Sequence, residues 1–186
     1  MKGYVLFVWS LFDPIYYFFS NLSYLSDEIE GGNIFRIKLT KYKGKHVVLS
    51  DGTKINKNDT LVKIHLHNVR LLRELKDIKS ELKKAKIIYR YVQNSLPGVE
   101  LYIRNHSLSH EIKGIIGITS INKGSERLGF ETIDISHPVY KMFKRFAFLP
   151  IVVLSSQTAS IKNLIRSQQP SYLFMSTNQL SKMYRY

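Results

Sequence analysis

The stretch "LVKIHLHN", residues 61–68, decides the fold prediction because it joins a strand pattern to a helix pattern. Its apolar residues alternate with Lys63, His65 and His67, and this period of two is typical of a β-strand with two different faces. Asn68 then stands where the helical pattern begins, and asparagine is among the preferred N-cap residues. The stretch therefore predicts a strand that leads directly into a capped helix.

Two further strand signals precede this stretch. The segment "NIFRIKLTKY", residues 33–42, alternates in the same way and predicts a strand with one solvent-facing side that carries Arg36 and Lys38. In "KHVVLSDGTKI", residues 45–55, the pair Asp51-Gly52 lies between apolar runs and predicts a hairpin turn.

A long amphipathic helix is predicted after the stretch. From Leu71 to Val92, apolar residues recur every three or four positions, while lysine and arginine occupy the other faces. Leu96-Pro97-Gly98 is predicted to end this helix, because proline cannot continue the hydrogen-bond ladder. A helix lying on a sheet and a coiled coil both fit this spacing, and we prefer the helix on a sheet.

The second half of the chain predicts one more hairpin and then helices. The apolar runs "IKGIIGITSI", residues 112–121, and "GFETIDIS", residues 129–136, are expected to pair with each other. One helix is predicted from Pro138 and a last helix from near Ser176.

These elements predict an α+β fold. We expect a largely antiparallel sheet of two hairpins plus a strand, covered by one long helix, with helices at both termini. The chain is predicted to be a single domain, residues 1–186, which comprises an apolar aromatic arm (1–26), an α+β core (27–137) and a C-terminal helical part (138–186).

The two histidines of the central stretch raise the question of a metal or catalytic site. His65 and His67 share one strand face, but Lys63 on that face repels cations, and the other histidines are scattered. The chain has no cysteine, which excludes disulfides, thiolate nucleophiles and cysteine-based zinc sites. We therefore expect no metal and no cofactor, and keep His65 as a candidate general base.

The charge of the chain indicates an anionic partner. Lysine and arginine total 28 against 14 acidic residues, which gives a formal net charge of +14. Such an excess attracts nucleic acid, anionic lipid or acidic polymers without choosing among them. The predicted anion-binding residues are Arg127, which lies in a turn, and three basic residues that lie among aromatic ones, Lys141, Lys144 and Arg145.

The N-terminal arm favours a membrane surface among these partners. Its uncharged run before Asp13 is too short to span a bilayer, and no cleavage site of a signal peptide follows it. Its aromatic and apolar residues suit an interfacial segment, while packing on the domain core explains them equally simply. We expect a cytoplasmic protein with a possible membrane association, which the absence of cysteine also fits.

Four segments together resemble the YkoP-like proteins of spore-forming, Gram-positive bacteria. These segments are "SLFDPIYY" (10–17), "DGTKINKNDTLVKIHLHNVRLL" (51–72), "EIKGIIGIT" (111–119) and "RLGFETIDI" (127–135). The motifs typical of that family are His-x-x-Asn, here His65 and Asn68, and Arg-Leu-Gly-Phe, here beginning at Arg127. Similar domains occur fused to polysaccharide deacetylases, so the resemblance implies work at the cell envelope or in sporulation, with a polysaccharide-modifying enzyme as an expected partner. The chain has no deacetylase pattern of its own.

We therefore predict a non-enzymatic accessory or binding domain that contacts an anionic membrane surface or an envelope polymer. The first alternative is an enzyme of envelope metabolism, a hydrolase or transferase, in which His65, Asn68 and Arg127 form one catalytic site. The second alternative is nucleic-acid binding driven by charge alone, with a steep salt dependence and little base preference.

Overall fold

A computed structural model describes residues 23–24, 33–75, 77–119, 124–135, 142 and 170–185. Most of the N-terminal arm and of the helix expected from Pro138 lies outside these residues, and so do Lys141, Lys144 and Arg145.

The described residues form eight strands and three α-helices. The strands are β1 (Ser23–Tyr24), β2 (Phe35–Lys41), β3 (Val47–Val48), β4 (Lys54–Ile55), β5 (Thr60–Leu66), β6 (Ile112–Thr119), β7 (Glu131–Asp134) and β8 (Ser171–Ser176). The helices are α1 (Asn68–Leu75), α2 (Glu81–Asn105) and α3 (Thr177–Tyr184), with short 3₁₀ turns at Ser109–Glu111 and Glu126–Leu128.

Six of these strands form one sheet in the order β1-β2-β5-β6-β8-β7, and β3 and β4 form a separate hairpin. All neighbours in the large sheet are antiparallel except β5 and β6, which are parallel and are connected through α1 and α2. The predicted α+β class with a largely antiparallel sheet is therefore confirmed.

The predicted pairing of the second hairpin is wrong. β6 and β7 do not pair, because β8 lies between them and is antiparallel to both. Residues 171–176 were expected to belong to a helical part of the chain, but they form this strand, and the last helix follows at Thr177 as predicted. The apolar run Tyr172–Met175 carries no alternation, so the sequence alone left its structure ambiguous.

The predicted single helix is two helices, and its predicted end is also wrong. α1 ends at Leu75, and α2 begins after Ser80, whose side chain accepts a hydrogen bond from the Lys83 backbone N–H. Pro97 lies inside α2, which continues to Asn105. The carbonyl left without its helical donor belongs to Gln93, on the exposed side, where water can satisfy it. Burial of Leu96 and Val99 on the opposite side holds the helix together through the proline.

The helices cover one face of the sheet. Leu96, Val99 and Ile103 of α2 and Leu180 of α3 pack with alternate sheet residues that include Ile37, Val62, Ile115 and Met175. Ser95 ties the start of β2 to this helix, because its hydroxyl accepts a hydrogen bond from the Ile34 backbone N–H at 2.9 Å. The expected arrangement of a helix lying on a sheet is confirmed.

The β3–β4 hairpin covers part of the other face. Val47, Leu49 and Ile55 of the hairpin region pack on Leu61, Ile116 and Phe174, which point away from the helices. The predicted turn is present: the Gly52 N–H donates to Leu49 O at 2.9 Å, and Gly52 has φ 84°, a conformation that favours glycine.

Polar contacts fix the tip of this hairpin to the sheet. The Glu131 carboxylate of β7 accepts hydrogen bonds from the Ser50 N–H at 2.9 Å and from the Ser50 hydroxyl at 2.7 Å. The Ser176 hydroxyl donates to the Asp51 carboxylate and accepts from the Gln179 N–H at 2.9 Å, so one side chain holds the turn and caps α3.

Candidate functional site

His65 lies on the sheet face that points away from the helices, near the carboxyl end of β5. Its register partner on β2 is Arg36, and the next pair on the same face is Lys38 and Lys63. Four basic side chains therefore lie together on two neighbouring strands, where directly opposite residues have Cβ atoms about 5 Å apart.

Arg36 corrects the expectation of a solvent-facing side on β2. Only 3% of this residue is exposed, whereas Lys38, Lys63 and His65 are half-buried. All four residues interact with other groups in the structure, so their side chains are held in place by the fold. Arg36, Lys38 and Lys63 make this part of the sheet face basic, and His65 lies beside them.

Sequence reasoning did not connect Arg36 with His65. The two residues are 29 positions apart, and only the register of β2 with β5 places them opposite each other. The alternation of both strands was visible in the sequence, but this register was not.

Asn68 and Arg127 occupy very different places. Asn68 is the first residue of α1, directly after the strand that carries His65, and nothing is described of its side chain. Arg127 is exposed in the 3₁₀ turn before β7. β7 lies three strands from β5, about 14 Å at the usual strand spacing.

The positions along the strands separate His65 from Arg127 further. β7 runs in the same direction as β5, because both are related to β6 and β8 by the observed pairings. Arg127 precedes β7 and so lies toward the start of β5, whereas His65 is near its end. The structure therefore does not bring His65 and Arg127 into one pocket, and the catalytic alternative loses the convergence on which it was based.

The exposed side of α2 carries the second basic group. Lys83, Lys86 and Arg90 follow one another at spacings of three and four residues, so they form one row along the helix, which we call the basic stripe. All three are exposed, and Leu82 beside them is 68% exposed. Within the described part of the chain, none of the three forms an ion pair.

The acidic residues near the basic stripe form ion pairs with other basic residues. Glu81 pairs with Lys84 at 2.8 Å, and Lys84 is nearly buried rather than exposed as the sequence pattern suggested. Glu74 of α1 pairs with Arg70 at 3.3 Å, and the hydrogen bond that its carboxylate accepts from the Tyr91 hydroxyl raises the pKa of that phenol above its ordinary value. The positive charge of the basic stripe is therefore not offset by these two carboxylates.

Helix stability does not explain the basic stripe. Like charges at spacings of three or four residues destabilise a helix by about 0.2–0.5 kcal/mol a pair. Lys83 also lies in the first turn, where the helix dipole disfavours a positive charge. An anion outside the helix would reverse both effects.

Two general features limit the kinds of site in the described ranges. No three histidine, aspartate or glutamate side chains there lie close enough together to hold a metal ion. Among the same residues, no helix combines the length and the apolar character needed to cross a bilayer.

Comparison with known proteins gives the family. The YkoP domain matches residues 2–184. The chain is 51% identical over 185 residues to "Uncharacterized protein YkoP" of Bacillus subtilis (strain 168), covering 100% of this chain and 98% of that protein. No solved structure matches. The match over nearly the whole length shows that the chain belongs to the YkoP domain family.

Proposed function

We propose that this YkoP domain protein is a non-catalytic binding domain that attaches to an anionic membrane surface through the basic stripe of α2. The observation that carries the proposal is the row Lys83, Lys86 and Arg90, which is exposed and has no described acidic partner. Like charges at this spacing are expected to destabilise the helix. An anionic surface supplies the missing counter-charge.

The expected strength follows from the number of charges. Each lysine or arginine near an anionic membrane contributes about 1 kcal/mol, so the basic stripe contributes about 3 kcal/mol. This attraction decays over the Debye length, about 10 Å at 0.1 M salt, so binding weakens as salt rises. Leu82 is exposed beside the stripe and adds apolar contact with the interface.

The arm at residues 1–26 supports the same proposal through its composition. It is rich in aromatic and apolar residues, which favour the membrane interface over a purely ionic polymer. The envelope polymer, a polysaccharide-modifying enzyme as a partner and nucleic acid become the competing outcomes of the test.

Vesicle flotation tests the proposal. The protein is mixed with vesicles of phosphatidylglycerol and phosphatidylcholine, or of phosphatidylcholine alone, at rising salt and with excess duplex DNA. We expect flotation with the anionic vesicles only, which survives the DNA and falls as salt rises. Flotation that DNA abolishes would favour nucleic acid, and no flotation at low salt would overturn the proposal.

A pair of triple variants separates the stripe from net charge. K83Q/K86Q/R90Q removes the basic stripe, and K45Q/K54Q/K57Q removes three exposed lysines beside the β3–β4 hairpin, on the opposite face of the sheet. Both variants lose three positive charges. We expect the first to lose about a hundredfold in vesicle affinity, which corresponds to about 3 kcal/mol, and the second to lose far less. Equal losses would show that binding depends on net charge alone.

A deletion tests the arm, and the structure sets its limit. Ser23 and Tyr24 form β1, which pairs with β2, so a deletion to residue 25 would also remove a strand of the sheet. Removal of residues 1–20 leaves this pairing in place. We expect this deletion to weaken flotation without lowering the unfolding temperature, and unchanged flotation would assign the binding to the stripe alone.

A further inference from the structure

A groove of about 330 Å³ lies between the carboxyl-terminal half of α2, the 3₁₀ turn Ser109–Glu111 and α3. Its apolar lining includes Ile103 and Leu180, which are buried against the core. This volume is at the lower end of the range of small-molecule sites. The groove is separate from the basic stripe, because Arg104 lies 14 residues beyond Arg90, or about 21 Å along the helix axis.

A buried carboxylate organises one wall of this groove. The Glu100 side chain is only 4% exposed, and its Oε1 accepts a hydrogen bond from the Ser181 hydroxyl at 3.2 Å. Its Oε2 pairs with Nη2 of Arg104 at 3.4 Å. The Ser181 contact joins α2 to α3, and the ion pair within α2 fixes the direction of the Arg104 guanidinium.

The remaining donors of Arg104 are available to a ligand. A guanidinium has five N–H donors in a rigid planar fork, and Glu100 engages one end of it. The Arg104 side chain is 37% exposed, so the rest of the fork borders the groove. Glu100 thus acts as a positioning residue for Arg104.

A second arginine adds to the positive charge of the groove, and uncharged polar groups complete its lining. Arg185 and His110 line it and are exposed, and Ser109 and Thr177 contribute hydroxyls. Among the described residues that line the groove, there are two guanidiniums and one carboxylate, which is already paired with one of them and with Ser181. The Glu111 carboxylate lies outside this lining, 3.9 Å from Nε2 of His110. The excess positive charge, the arginine forks and the hydroxyl donors suit the oxygens of a phosphate group.

We propose that this groove binds the phosphate group of a small phosphorylated ligand, with Arg104 and Arg185 as its two anion-binding side chains. The phosphate belongs either to a soluble phosphate ester or to the headgroup of a phospholipid. The proposal does not depend on membrane attachment through α2, since different residues carry it.

The test is a titration of ¹⁵N-labelled protein followed by amide chemical shifts. The probe is glycerol 3-phosphate, and glycerol at the same concentration and ionic strength is the control. We expect saturable shifts at Ser109, His110, Thr177 and Arg185, with no change at the basic stripe. Shifts confined to Lys83–Arg90, or no saturable shifts, would overturn the proposal.

Three single variants test the assigned residues. Arg104→Lys keeps the charge but removes the fork, Arg185→Gln removes a charge at the groove, and Lys182→Gln removes a charge from an exposed position of α3 outside it. We expect the first two to weaken glycerol 3-phosphate binding about tenfold, the effect of losing one charge-assisted hydrogen bond, and the third to change it less than twofold. Equal effects of Arg185→Gln and Lys182→Gln would show that only overall charge acts.

Vesicles distinguish the two sources of phosphate. If glycerol 3-phosphate competes with phosphatidylglycerol vesicles and Arg185→Gln weakens both, the groove takes a lipid headgroup. If glycerol 3-phosphate binds and the vesicles do not shift the groove amides, the ligand is soluble. Both results support the groove. Flotation of the K83Q/K86Q/R90Q variant measures vesicle binding without the basic stripe, and so it tests the groove separately from the membrane proposal.

Discussion

The two faces of the sheet are covered in very different ways. The long helix α2, together with α3, covers the first face with a continuous apolar core. The second face is covered near the start of β5 by the short β3–β4 hairpin, and it carries Arg36, Lys38, Lys63 and His65 toward the other end. The difference shows where the fold is stabilised by apolar burial and where polar chemistry is concentrated.

Strand β5 shows this division within seven residues. On the helix face it places Val62 and Ile64 in the core. On the other face it places Leu61 under the hairpin, and then Lys63 and His65 opposite the basic residues of β2. The side chains on the helix face are apolar along the strand. Those on the other face are apolar at its start and basic toward its end.

The largest expected difference between the two faces is the loss of stability when a buried side chain is shortened to alanine. Leu96 of the helix face and Ile55 of the hairpin are both completely buried. We expect Leu96→Ala to lower the free energy of unfolding by about 3–5 kcal/mol. Ile55→Ala should lower it less, because a short hairpin can open locally before the sheet unfolds.

Urea unfolding together with hydrogen exchange checks this comparison. In the Ile55→Ala variant, faster exchange should be limited to the hairpin amides, whereas Leu96→Ala should speed exchange throughout the sheet. Equal losses of stability with global exchange in both variants would show that the hairpin is as integral to the core as α2.

A smaller difference is expected at two glycines of β6. A Cβ on Gly114, which lies on the hairpin face, would clash with the Met175 backbone oxygen, so the strands would have to move. A Cβ on Gly117 would be in ordinary contact with the Ile64 side chain at 3.4 Å. We expect Gly114→Ala to cost about 1–3 kcal/mol and Gly117→Ala to be close to neutral. Thermal unfolding of both variants checks the prediction, and similar melting temperatures would contradict it.

The smallest expected effect is the pH dependence of the contact that joins the hairpin to α3. Burial acts to raise the pKa of Asp51, but hydrogen bonds from Ser176 and Thr53 outweigh it and hold that pKa below its usual 3.8. Because the folded pKa is lowered, this carboxylate stabilises the fold above about pH 4, and the contribution is lost as pH falls through the folded pKa.

The variant Asp51→Asn isolates this contribution. Urea unfolding between pH 2 and 6 should show a slightly shallower loss of stability in acid for the variant than for the parent protein. The effect is small because Asp51 is largely exposed. Identical slopes would show that its contact with Ser176 does not depend on the charge.

Local patterns made much of the fold predictable. Alternation identified β2 and β5, a β-branched apolar run identified β6, and Asp51-Gly52 identified the hairpin, because each of these signals is contained within a few residues. The insertion of β8 between β6 and β7 could not be predicted, since it depends on a pairing with a segment more than 35 residues beyond β7. At Pro97 a local rule predicted the wrong helix end because burial on the opposite side outweighs the lost hydrogen bond.

The same contrast between local signals and long-range packing applies to the candidate sites. The basic stripe could be predicted, because Lys83, Lys86 and Arg90 follow helical spacing. The pairing of Arg36 with His65 required the register of two strands, and the groove required the packing of α3 against α2. The spacing of Glu100 and Arg104, four residues within a helix, was the available signal for the groove.

The position of β8 also has a consequence for synthesis of the chain. Residues 171–176 pair with both β6 and β7, so until these six residues leave the ribosome, both strands keep hydrogen-bonding edges without their final partner. The sheet is therefore completed only after residue 176 has been made, and a nascent chain stalled before residue 171 presents open strand edges to chaperones and proteases.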